Sequence, residues 1–101
     1  MKKVLILGST GSIGTSALEV IKGNVGYQAK SLVARKNKKL ILEQAKEFNV
    51  SNIFLSEGVF SENEVKSNLD INFSNNLEEL LSDKDIDCLL YTSPSPRDVV
   101  P

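Results

Sequence analysis

Histidine and tryptophan are absent from this sequence, and cysteine occurs once, as Cys88. Without histidine there is no imidazole general acid or base and no His-based metal site. A single thiol excludes an internal disulfide and fits a reducing compartment. Neither sign of charge dominates: 12 Lys and Arg face 13 Asp and Glu, a net charge of −1. No broad basic field is therefore offered to nucleic acid. No apolar run approaches the roughly 20 residues of a transmembrane helix. Met1-Lys2-Lys3, ahead of only Val4–Leu7, is too short for a secretory signal. For 101 residues without internal repeats, these exclusions predict one small domain, or a piece of a larger one. It is expected in the cytoplasm, with neither membrane nor nucleic acid as partner.

What is present is concentrated near the start. Val4-Leu5-Ile6-Leu7 is apolar at every position, as in a strand buried on both faces of a parallel sheet. It runs into Gly8-Ser9-Thr10-Gly11-Ser12-Ile13-Gly14, and a helical pattern follows from Thr15 to Lys22. A strand, a glycine turn and a helix in that order form a phosphate-binding element. Glycines admit a ligand close to the backbone, and the first amides of the helix face the anion.

Periodicity organises the rest. Ile13, Ala17, Val20 and Ile21 recur at helical offsets and predict one apolar face. Lys22 and Gly23 close that helix, a cation at its negative end and a glycine suited to a left-handed cap. Tyr27–Ala34 reads as the second strand. Asn37 is the expected N-cap of a helix to about Phe48, burying Ile41, Ala45 and Phe48. Val50–Leu55 is the third strand. Ser61-Glu62-Asn63-Glu64 has capping-box form, with Val65 and Leu69 as the apolar side of a short helix. Ile71–Phe73 suggests a short strand, Leu77, Leu80 and Leu81 another short helix, and a further strand begins at Ile86. Strands alternating with helices give an α/β fold, a doubly wound, Rossmann-like parallel sheet, here incomplete.

The glycine turn has several readings. A P-loop requires lysine after its last glycine, and Gly14 is followed by Thr15 and Ser16, so that reading fails. A tight turn without ligand is the bland alternative. In the third reading, a dinucleotide site, Gly8 makes the turn, Gly11 admits the pyrophosphate and Gly14 lets helix and strand pack closely. Ser9, Thr10 and Ser12 add hydroxyl donors. NAD sites place an acid about 20 residues further on. Here no acidic residue lies between Glu19 and Glu43, and the second strand ends in Ala34-Arg35-Lys36-Asn37-Lys38-Lys39. A 2′-phosphate needs cations there, so NADP is favoured over NAD, with Arg35 and Lys36 on the phosphate. A solvated charge run is the competing reading of those residues.

The strings Leu5–Gly14 and Leu32–Asn37, with their spacing, resemble the N-terminal part of 1-deoxy-D-xylulose-5-phosphate reductoisomerases. The resemblance runs from Met1 to about Asp87. It implies that Thr10, Gly11, Ser12 and Ile13 bind the pyrophosphate side of NADPH. By the same resemblance Arg35, Lys36 and Asn37 surround the adenosine ribose phosphate, although position 35 is often a small residue in the family. It further implies an NADPH-dependent enzyme of non-mevalonate isoprenoid synthesis. That enzyme rearranges and reduces 1-deoxy-D-xylulose 5-phosphate to 2-C-methyl-D-erythritol 4-phosphate. A Mn or Mg ion, a sugar phosphate substrate and a homodimer come with the family. Its metal and substrate residues would lie beyond this chain, so no catalytic residue and no metal ligand is assigned here. Glu62, Glu64, Glu78 and Glu79 read as solvated helix faces, and the fragment alone is expected to be inactive.

Residues 1–87 are thus expected to form a partial NADP-binding domain, and 88–101 a non-native tail. Where a run of the type Asp-Ile-Val-Val is expected, the chain reads Cys88-Leu89-Leu90-Tyr91-Thr92-Ser93-Pro94-Ser95-Pro96-Arg97-Asp98. That run resembles translated sequencing adapter. Two further readings remain at this point: another NADP oxidoreductase, semialdehyde-dehydrogenase-like, and a non-catalytic dinucleotide-binding module.

Overall fold

The computed structural model describes residues 2–91. Its strands are β1 (Lys2–Leu7), β2 (Tyr27–Ala34), β3 (Asn52–Leu55), β4 (Asn72–Phe73) and β5 (Cys88–Tyr91). The helices are α1 (Ser12–Lys22), α2 (Lys38–Glu47), α3 (Glu62–Lys66) and α4 (Leu77–Leu81). The sheet runs β4-β3-β2-β1-β5, and each neighbouring pair is parallel. The chain steps outward from β1 to β4 and then returns to the other side of β1. That reversal is the switch point at which ligands settle in doubly wound sheets.

Alternating side chains of the central strands feed two cores. Val4 and Ile6 join Leu32, Ile53 and the buried sides of α1 and α2, among them Leu18, Ile41 and Ala45. Leu5 and Val33 face the opposite way, onto Leu80 of α4, with Leu77 and Ile86 beside it. A register shift between Val4 and Leu5 leaves Lys30 unpaired on β2. This bulge lets Ala29 and Leu32, an odd number of residues apart, reach the same core. Lys30 in turn binds Asp83 and Asp85, at 2.9 and 3.0 Å, which ties the approach to β5 back to β2. The Asp83 carboxyl is held below its ordinary range by the Asp85 amide and then by Lys30.

Several expectations need correcting. In α1 the buried residues are Gly14 and Leu18, while Ile13 and Val20 are 54% and 69% exposed. Of the apolar stripe inferred from Ile13, Ala17, Val20 and Ile21, Ile21 packs on the core and Ala17 is half-buried, but Ile13 and Val20 face outward. Gly23 has φ −85°, so it is not a left-handed cap; Asn49, just beyond α2, takes φ 53° instead. Asparagine tolerates that region better than most residues because its side chain can bond locally. Leu69 is 81% exposed and lies past the end of α3, whose capping box at Ser61 and Glu64 forms as expected. Of the tail expected from Cys88, Cys88–Tyr91 pair with Val4–Leu7; Pro94, Pro96 and the remainder lie outside the described residues.

Candidate dinucleotide site

The glycine turn leaves the C-terminal end of β1, next to the end of β2, with Leu7 paired to Val33. Both Gly8 N–H and Ser9 N–H donate to the Val33 carbonyl, at 2.8 and 3.1 Å. The turn's three glycines then separate by physical role. Gly8 has φ 85°, a conformation that L side chains rarely adopt. At Gly14 an added Cβ would lie 2.1 Å from the Gly8 carbonyl oxygen and 2.7 Å from Ser9 Cα, so backbone packing excludes a side chain. Gly11 has φ −76° and would meet nothing closer than 3.6 Å. Neither conformation nor internal packing asks for glycine there.

Gly11 is the N-cap of α1 and supplies no side-chain cap. Among the described residues, the amides of Ser12, Ile13 and Gly14 have no acceptor. Those N–H groups, with the positive end of the helix dipole, are suited to a phosphate. Thr10 is half-buried and Ser12 is exposed, so both hydroxyls can reach a ligand. Thr15 Oγ1 donates to the Ser12 carbonyl at 2.9 Å. Ser9 departs from expectation: it is fully buried, so its hydroxyl cannot serve a phosphate. Its carbonyl accepts from Gln44 Nε2 at 2.8 Å, inside the core.

At the end of β2, the sequence run lacks acids but the folded cluster does not. Glu57 arrives from the loop after β3, and its amide donates to the Arg35 carbonyl at 2.7 Å. Arg35 Nε donates to Glu57 Oε2, also at 2.7 Å. The Arg35 guanidinium holds the Glu57 carboxyl below its ordinary range. Because the pair uses Nε, the two terminal nitrogens of Arg35 stay open to a further anion. Lys38 reaches Glu64 at 3.2 Å and the Val59 carbonyl at 3.4 Å. Lys36 and Lys39 have no ionic partner among the described residues. Asn37 Oδ1 accepts from the Leu40 amide at 3.2 Å and caps α2, leaving its Nδ2 for another acceptor.

Thr10–Ile13 and Arg35–Asn37 thus stand beyond the C-terminal ends of adjacent strands, one group following β1 and the other β2. Gln44 and Glu57 were not singled out from the sequence. Gln44 did carry a signal, since a polar residue occupies the buried offset between Ile41 and Phe48 on α2. Glu57 carried none, because its role depends on the alignment of β3 with β2.

Residues 4–93 match the family profile of 1-deoxy-D-xylulose 5-phosphate reductoisomerase. The chain belongs to that family. The reductoisomerase of Pelagibacter ubique is 43% identical over 58 residues, covering 56% of this chain and 15% of that protein. That of Thermodesulfovibrio yellowstonii is 54% identical over 50 residues, covering 48% of this chain and 13% of the relative. The chain therefore spans a small N-terminal share of the reductoisomerases it matches. Among solved structures, a DOX-P reductoisomerase with fosmidomycin and magnesium superposes with TM-score 0.71 at 27% identity, covering 88% of this chain and 24% of that one. The Zymomonas mobilis reductoisomerase in complex with NADPH gives TM-score 0.53 at 26% identity, covering 89% and 21%.

Proposed function

We propose that this chain is the NADPH-binding part of a 1-deoxy-D-xylulose 5-phosphate reductoisomerase. In that role Thr10, Gly11, Ser12 and Ile13 hold the pyrophosphate, and Arg35, Lys36 and Asn37 hold the ribose 2′-phosphate. The observation that carries the reading is the open, uncapped turn at Gly11 beside the cationic end of β2. The turn offers free amides to one phosphate, and Lys36 with the free edge of Arg35 offers cations to another. When bound, NADPH would supply the hydride for the reduction; this chain's residues would fix its two phosphate groups.

The complete enzyme would use a sugar phosphate substrate and a divalent metal, magnesium being present in two of the matching reductoisomerase structures, and would act as a cytoplasmic homodimer. Among the described residues no group of three His, Cys, Asp or Glu side chains could hold a metal ion. Metal chemistry is therefore assigned to residues outside 2–91, and no step is derived through it. No helix among the described residues is long and apolar enough to cross a membrane. The test is titration with NADPH and NADH, followed by an assay of the complete protein with 1-deoxy-D-xylulose 5-phosphate. Equal affinity for the two cofactors, or turnover of an unrelated aldehyde alone, would exclude the reading.

The run from Cys88 onward is read as non-native, with 1–87 as the partial domain. Pairing of Cys88–Tyr91 with β1 does not argue against this, because an apolar run of four residues fits an open strand edge whatever its origin. A genomic amplicon across the locus decides it: an in-frame Cys88 in adapter-free DNA refutes the reading.

A further inference from the structure

We propose that Gln44 is a positioning residue for the phosphate turn: from inside α2 it fixes the Ser9 carbonyl, and so holds in place the turn from which the first amides of α1 meet the cofactor. The inference rests on the NADPH reading of the turn for its functional consequence, though not for its geometry. Ser9 is fully buried and Gln44 is 5% exposed, and the 2.8 Å bond between them joins residues 35 apart in sequence. Ser9 lies two residues ahead of the N-cap Gly11, outside α1, so no helical amide holds its carbonyl. Gln44 holds it, while the first-turn amides of α1, which a helix leaves without an intrahelical partner, have no acceptor among the described residues. The carboxamide thus anchors the turn that presents those amides.

Packing alone does not account for glutamine at this position. Its neighbours on the buried side of α2, Ile41 and Ala45, are apolar and fully packed. An apolar side chain would fill the space without desolvating an amide. The contact even leaves two buried polar atoms, Ser9 Oγ and Gln44 Oε1, unpartnered. Burying them works against stability, so a group retained there is better explained by what it positions. The same helix begins at Asn37 beside Lys36, seven residues before Gln44, or about 10 Å along the axis. One rigid element therefore links the 2′-phosphate cluster to the pyrophosphate turn.

The test uses Gln44→Met in the complete protein carrying this segment. Methionine keeps the length of the side chain and removes the donor. In the ligand-free protein, amide exchange at Gly8 and Ser9, both bonded to the Val33 carbonyl, should rise about fivefold or more relative to the strand amides of Leu32 and Ile53. NADPH should bind about tenfold more weakly, the equivalent of one lost hydrogen bond. Adenosine 2′-monophosphate, which has no pyrophosphate, should change less than about twofold. Unchanged exchange in the turn overturns the proposal, as does equal weakening of both ligands, which marks a general loss of structure. Should the wild type bind no NADPH while Gln44→Met still loosens the turn, the cofactor reading fails and the positioning role stands. Gln44→Asn, which keeps the carboxamide but withdraws it by one methylene, has the same expected pattern if the methionine variant does not fold.

Discussion

The glycines at 8, 11 and 14 should respond to substitution in three different ways, and the contrast tests the site more sharply than any single variant. Gly14→Ala introduces a Cβ 2.1 Å from the Gly8 carbonyl oxygen and 2.8 Å from the Ser9 carbonyl carbon. Both are backbone atoms, so relief requires moving the turn by more than an ångström. That motion strains the two bonds to the Val33 carbonyl. Overpacking costs about 1–3 kcal/mol and two weakened bonds about 1 kcal/mol each, against about 1 kcal/mol gained from alanine's helix propensity. The expected net loss is about 2–4 kcal/mol. Gly8→Ala carries the left-handed penalty, about 1–2 kcal/mol, at φ 85°.

Gly11→Ser behaves differently. Position 11 has an extended backbone, open surroundings and no side-chain cap, so serine there can accept from the first-turn amides. Stability should hold or rise by up to about 1 kcal/mol. NADPH binding should fall at least about tenfold, because the new hydroxymethyl group occupies the approach of the phosphate and consumes one of its donors. Urea melts give the stability order and NADPH fluorescence titration gives the affinities. A Gly11→Ser protein that binds NADPH as the wild type does would refute the assignment of the pyrophosphate to this turn. A Gly14→Ala protein melting with the wild type would refute the packing account.

Other perturbations separate the remaining contributions. Replacing Arg35 and Lys36 together by Ala should weaken NADPH at least about tenfold more than NADH, since charge-assisted bonds to the 2′-phosphate exist for the first cofactor alone; parallel losses in titration would contradict this. The Asp83 carboxyl is depressed in the folded state, so its stabilising effect is complete above the ordinary aspartate value of 3.8 and disappears as pH falls through the lower folded value. Thermal melts from pH 6 to pH 2 should therefore show a smaller acid loss for Asp83→Asn than for the wild type, and identical slopes would remove Asp83 from the account. Val20, 69% exposed on α1, adjoins an apolar cavity of about 570 Å³ that Ala17, Ile21 and Leu89 also line. Val20→Lys should leave the melt of this chain within about 0.5 kcal/mol, and a large destabilisation would show that Val20 is packed after all.

The order of strands and helices was legible because each apolar run is short and each break carries turn chemistry. Asn37 and Ser61 cap the helices they precede, as their residue types suggest. The parallel sheet followed from Val4–Leu7 being apolar at every position, which only burial on both faces explains. Less legible was anything set by register. The bulge at Lys30 re-phases β2 without any glycine or proline to announce it. Glu57 meets Arg35 only because Ala34 pairs with Leu55, which brings the next residues of both strands side by side. A run free of acids along the chain thus acquires one in space, and the basic cluster divides into tethered Arg35 and Lys38 and, among the described residues, unpaired Lys36 and Lys39.

Helix α1 shows why periodicity alone misplaced part of the packed face. Ile13 and Val20 are β-branched apolar residues at helical spacing, so they weigh heavily in a hydrophobic pattern although both are exposed. The helix nevertheless approaches the sheet along Gly14 and Leu18, because only a residue without Cβ allows the helix backbone to touch the turn. Glycine contributes nothing to a hydrophobic pattern, and here it decides the orientation. The same contact brings Ser12 and Ile13 outward, with their amides at the mouth of the turn. Close packing at Gly14 and openness at Gly11 are two consequences of one geometry: the first presses the helix onto β1, and the second leaves its N-terminus bare toward the ligand side. A substitution that relaxed Gly14 would therefore also rotate the free amides away from the phosphate, so stability and NADPH affinity should fall together at position 14 and separate at position 11.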